Sequence, residues 1–142
     1  MLGPGHSLIG ASAGALTAQQ LGAHPLAGAV VGGLVGKVPD WDRYLPGHRG
    51  WTHAPVTAVA VGLLLALWNP LLGVLVAAGL FSHILADSVT EAGIPWAYPF
   101  SRKRAALPRW VAFKTGGPVE WLVVVGVVGA TLWWVADLGK NL

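Results

Sequence analysis

The run LLGVLVAAGLFSHILADSVTE, residues 71–91, decides the fold. Its first half is uninterrupted by charge, and its second half carries His83 and Asp87 on the same apolar background. Four residues separate the pair, so a helix brings both onto one face. An imidazole nitrogen and a carboxylate oxygen at that spacing can grip one divalent metal. Ionisable groups in an apolar helix of this length face a cavity or one another. The run therefore reads as an apolar helix ending in a metal-binding face.

Four further apolar segments flank it, at 7–21, 25–36, 52–68 and 118–137. Thr52 reads as the N-cap of the third, with Pro55 tolerated in its first turn. Hydrophobic residues make up 54% of the 142-residue chain and charged residues 11%, against about a quarter charged in a soluble domain. Mean hydropathy is +0.60. The segments lie at or just below the roughly 20 residues of a membrane span. The expected architecture is a single domain over 1–142, an all-α integral membrane bundle of about five helices. Gly10 and Gly14, then Gly28, Gly32 and Gly36, recur four apart and read as stripes for close helix packing. The absence of cysteine excludes disulfides and thiolate sites. The start MLGPGHSLIG lacks a basic region and does not read as a cleaved signal peptide.

Tight turns at GAHP, 22–25, and NP, 69–70, force neighbouring segments antiparallel. The polar residues then sort to one end of the bundle. His6 starts the first segment, Asp40 and Asp42 follow the second, and His53 starts the third. His83 and Asp87 end the fourth, and Glu120 starts the fifth. A buried set of carboxylates and imidazoles needs a cation to offset its charge. The metal site is thus expected at one end, with His24 an interfacial turn residue at the other. Lys37, Arg43, Arg49, Arg102, Lys103, Arg104, Arg109 and Lys114 share the ligand end, and only Lys140 lies across. The positive-inside rule makes the ligand end cytoplasmic, in a multi-pass protein of the cell's inner membrane.

Gly5-His6, PDWD at 39–42, HRGWTH at 48–53, SHILADSVTEAGIPWAYPF at 82–100 and TGGPVE at 115–120 resemble, in order, the YdjM-like family of membrane-bound metal-dependent hydrolases. The resemblance covers nearly the whole chain. It departs at Arg43, where the family commonly has histidine. It implies an inner-membrane protein with hydrolase activity. A fainter likeness to zinc-dependent phospholipase C and the fungal single-strand nucleases rests on Gly5-His6, a later aspartate and the His83/Asp87 spacing. That likeness implies a phosphoester-cleaving zinc cluster.

The expectation is a membrane-bound phosphoesterase. Its metal ligands are His6, Asp40, His53, His83 and Asp87, holding one or two divalent ions, zinc first, with manganese or iron as alternatives. Asp42 reads as a ligand, a supporting group or an acceptor of the water's proton, and Glu120 as a second candidate acceptor. Arg49, with Arg43, could hold a phosphate through paired N–H donors, or could simply set topology. The expected partners are the lipid bilayer and a small-molecule or lipid phosphoester, with no nucleic acid. The rival is a non-enzymatic membrane protein with a structural or transported ion. Little polarity between the two ends argues against a through-path, since the apolar runs contain little beyond Ser12, Thr17, Gln19, Gln20 and Thr57.

Overall fold

The computed structural model describes residues 1, 3–44, 50–108 and 112–138, the side chains of 43, 44 and 138 excepted. Five α-helices account for most of these residues: α1 (Gly3–Gln20), α2 (Pro25–Val35), α3 (Pro55–Ala66), α4 (Pro70–Ser88) and α5 (Pro118–Leu138). Four of the five begin with proline, whose missing N–H and fixed φ suit the first helical position. The His24 ring accepts from Leu26 N at 3.2 Å to cap α2, and the Asn69 side chain accepts from Leu72 N at 3.0 Å to cap α4. His24 is thus a turn and capping residue, as expected for the far end.

Two 3₁₀ segments, Val38–Tyr44 and Trp51–His53, join α2 to α3. The expected third helix, 52–68 with Thr52 as its cap, is corrected here. The residue before a proline is driven to extended backbone, and Ala54 (φ −91°, ψ 137°) breaks the chain between His53 and α3. Ala54 makes no side-chain cap, and the Thr52 hydroxyl is used elsewhere.

The expectation of five membrane-spanning helices is also narrowed. Among the described residues, two helices are long and apolar enough to cross a bilayer, Pro70–Ser88 and Pro118–Asp137, with mean hydropathy 1.7 and 1.8. At 1.5 Å per residue, α2 and α3 reach only ~16 and ~18 Å, short of a hydrocarbon core of ~30 Å. Pro55 starts α3 late, and the second 3₁₀ segment takes up Thr52 and His53, which composition alone assigns to the apolar run.

Glycine sets the spacing of the bundle. α1 packs against α2, α4 and α5, while α4 packs against α1, α2 and α3. Along the α1–α2 seam a Cβ on Gly14 would strike the Gly28 carbonyl, and one on Gly10 would strike the Gly32 carbonyl. A Cβ on Gly36 would lie 2.7 Å from the His6 carbonyl oxygen. The stripes therefore do what their spacing suggests and bring two backbones into direct contact. Beneath the polar end, Ala58, Val76, Leu80, Ile84 and Ile94 form an apolar core. Ile94 comes from the polar region 92–117, tied down by bridges between Thr90 and Phe113 and between Ile94 and Ala105. α5 is the least buried helix; Leu122, Val125, Leu132 and Trp133 are exposed on it.

Candidate metal centre

Helix direction brings the start of α1, both 3₁₀ segments and the end of α4 to one end of the bundle. There His6, His53, His83 and Asp87 are fully buried, with Asp40 nearly so. His6, Asp40, His83 and Asp87 each offer one ligand atom within 4.8 Å of the others. His53 joins them, its Nε2 lying 3.8 Å from Asp40 Oδ1 and 3.6 Å from Asp87 Oδ2. His83 Nε2 stands 4.0 Å from Asp40 Oδ1 and 3.8 Å from Asp87 Oδ2. His6 Nε2 stands 3.8 Å from Asp40 Oδ2 and 3.2 Å from Asp87 Oδ1. All five residues proposed as ligands from sequence are thus brought together.

These separations bear on two explanations. A direct hydrogen bond between nitrogen and a charged oxygen closes to ~2.7–2.9 Å. Two donors each ~2.1 Å from one tetrahedral ion lie roughly 3.4 Å apart. Most of the spacings here are too long for the first and suit the second. The set of three imidazoles and two carboxylates also matches what zinc and similar divalent ions accept.

Two hydrogen-bonding arrangements fix which nitrogen faces the centre. His83 Nδ1–H donates to the Gly36 carbonyl at 2.6 Å, which leaves Nε2 with its lone pair toward the carboxylates. His53 Nδ1 lies 3.0 Å from Thr52 Oγ1, and the Thr52 hydroxyl donates to Asp42 Oδ2. With the hydroxyl proton committed to Asp42, Thr52 accepts from His53 Nδ1–H, and His53 Nε2 again carries the lone pair toward the centre. The His6 and His83 rings stack with centroids 3.7 Å apart, which holds His6 in place. The Met1 amino group reaches Asp87 Oδ1 at 2.5 Å.

Burial alone would raise the Asp40 carboxyl. The nearby His53 ring and the fields of His83 and His6 outweigh it and bring the value down to about 2. Asp40 is therefore an anionic donor at neutral pH.

The other sequence-derived candidates lie elsewhere. Asp42 sits on the Nδ1 side of His53, 3.6 Å from that nitrogen, turned away from the centre that Nε2 faces. Glu120 is buried at the start of α5, where its Oε2 accepts from Gly116 N at 2.8 Å. Its Oε1 lies against Gly5, where an added Cβ would approach it to 3.2 Å. Arg49, His48 and the Arg43 side chain lie outside the described residues. Sequence reasoning missed Thr52, the Gly36 carbonyl and the Met1 amine. Only Thr52 carried a signal, as a hydroxyl beside a candidate ligand; the other two are backbone groups.

One prediction follows from the Thr52 relay. Thr52→Val, or Asp42→Asn, leaves every ligand in place but frees the His53 ring to turn or change tautomer. Zinc affinity measured by competition with a chelator should fall about 10–100-fold, the usual effect of losing an outer partner of a ligating histidine. Unchanged affinity in both variants would contradict the relay.

No curated protein and no solved structure matches the chain. The centre draws its ligands from Gly5-His6, PDWD, GWTH at 50–53 and SHILAD, and a family match spans residues 1–138: the chain belongs to the YdjM inner membrane protein family.

Proposed function

We propose that this protein is a membrane-bound metal-dependent hydrolase that cleaves a phosphoester at the membrane surface. The observation that carries the reading is the buried convergence of His6, Asp40, His53, His83 and Asp87 with donor spacings suited to one ion or two adjacent ions. When bound, a divalent ion such as zinc, manganese or iron lowers the pKa of its water from 15.7 toward about 7 and polarises a phosphoryl oxygen. The five residues hold the ion, and the Asp42–Thr52 pair and the Gly36 carbonyl orient two of the imidazoles. Glu120, buried against Gly5 beside His6, is the candidate proton acceptor. Arg49 is assigned to grip the phosphate through paired N–H donors.

The site lies at the end of the chain's helices where Lys37, Arg102, Lys103, Arg104 and Lys114 also collect. The positive-inside rule assigns that end to the cytoplasm, with the protein crossing the membrane more than once. One rival is supported by a specific observation. The ligands are buried, as a structural ion site requires, whereas a catalytic site keeps an open position.

The test uses detergent-purified, zinc-loaded protein and a panel of phosphomonoester, phosphodiester and phospholipid substrates. Metal-dependent turnover of at least one class, lost in His83→Ala, is expected. Bound metal without turnover of any class, under zinc, manganese or iron, would favour the structural ion.

A further inference from the structure

From the rim of the metal centre an apolar groove of about 360 Å³ runs down between α2, α3 and α4. Thr52 and Pro39 line its upper end, and these are the chain neighbours of His53 and Asp40. Leu80, one turn before His83 on α4, lines it as well. Below, Val61, Leu65 and Val76 form its walls. The two hydroxyls on its surface are committed, Thr52 to Asp42 and Thr57 to the Trp51 carbonyl at 2.5 Å, so neither seeks a polar ligand. Trp51, largely exposed, stands at the mouth, as tryptophans do at a membrane interface.

Position chooses the occupant. Thr57, Val61 and Leu65 follow one another at i, i+4 along α3, a run of ~12 Å. The groove is apolar along this run and ends at the chain neighbours of Asp40 and His53, so what fills it presents its polar end to the centre. A polymethylene chain with a polar head does so, and the membrane of this family's proteins supplies such chains in abundance.

We infer that the groove seats an acyl chain of the substrate, which is therefore a lipid phosphoester whose headgroup lies at Asp40 and His53. This rests on the hydrolase reading and adds the substrate class to it. With an acyl chain lying along Val61 and Leu65, the glycerol beyond its carboxylic ester carries the phosphoester to the centre from the Thr52–Pro39 side. The buried ligands are then reached from within the membrane.

Two readouts test the inference, one of them independent of turnover. Zinc-loaded full-length protein in phospholipid nanodiscs is irradiated with a phospholipid bearing a diazirine on its acyl chain, and the labelled peptides are mapped. Label concentrated on 51–65 and 76–80, above that on the exposed α5, is expected. Val61→Trp, which fills the groove, should remove it while leaving bound zinc unchanged. Leu65→Phe serves as the milder second variant should the first fail to fold. In turnover, Val61→Trp should lower the rate with a long-chain lipid phosphoester at least about tenfold relative to a water-soluble short-chain analogue, as a hydrophobic pocket distinguishes one or two methylenes. Label spread evenly over α5 and the groove, or crosslinks to a second copy there, would overturn the inference. So would equal turnover of both substrates in wild type and variant, with the hydrolase reading intact. Focused groove labelling with no turnover of any substrate would sink the hydrolase reading and leave the groove as a lipid site.

Discussion

Asp87→Ala is expected to lower zinc affinity by more than about a hundredfold, beyond the effect of losing an outer partner. Both carboxylates are shared by all three imidazoles, and Asp87 is the nearer to each: His6 at 3.2 Å, His53 at 3.6 Å and His83 at 3.8 Å, against 3.8, 3.8 and 4.0 Å for Asp40. Without it the buried centre keeps Asp40 as the one carboxylate among the five assigned ligands, to offset a doubly charged ion in a low-dielectric site. His83→Ala should act in the same direction, because it removes a donor whose orientation is fixed by the Gly36 carbonyl. The measurement is metal content and competition with chelators, backed by thermal unfolding. For the wild type, zinc at about 100 times Kd should add ~2.7 kcal/mol of stability, and neither variant should show that gain. Equal metal content in wild type and both variants would contradict the assignment.

Gly14→Leu touches no ligand and yet should be as damaging. A side chain at this position meets the Gly28 carbonyl directly and lies 3.1 Å from the Gly32 Cα, so backbone and not a flexible side chain must give way. Overpacking in cores costs about 1–3 kcal/mol where side chains can adjust; here the cost should reach or exceed the upper end. The separation of α1 from α2 has a chemical consequence. α1 carries His6, and Gly36 at the end of α2 holds the His83 tautomer. Spreading this seam pulls His6 from its stack on His83 and weakens the Gly36 anchor. Loss of stability and of metal affinity together is expected. Gly126→Ala on α5 is the control. Nothing lies within 4 Å of an added Cβ there, so stability should hold or rise by up to about 1 kcal/mol and metal affinity should not change. A Gly14→Leu variant that unfolds like wild type and binds zinc normally would show that the seam does not position the centre.

The convergence of ligands was legible because it depends on direction alone. Turns at GAHP and NP reverse the chain, and the parity of reversals places His6, Asp40, His53 and the His83/Asp87 pair at one end wherever the helix boundaries fall. The division of labour between Asp40 and Asp42 was not legible. The two lie in a 3₁₀ segment, where residues two apart point about 120° away from each other. One therefore meets the imidazole Nε2 atoms while the other meets Thr52 behind His53. The sequence suggests a continuous helix from Thr52, and only the extended Ala54 before Pro55 frees that hydroxyl to act as a relay. Span lengths were overstated for a similar reason. Apolar composition runs on past the ends of α3 and α4, and before Pro55 it runs ahead of a helix start set by backbone chemistry.

The central claim is that residues far apart in the chain share one ion. X-ray absorption at the zinc edge, on the metal-loaded full-length protein in detergent, tests it most directly. Imidazole nitrogens at ~2.0–2.1 Å together with carboxylate oxygen are expected, and the imidazole signal should fall in His6→Ala, His53→Ala and His83→Ala taken separately. A zinc spectrum without imidazole scattering, or one that none of the three substitutions alters, would contradict the account.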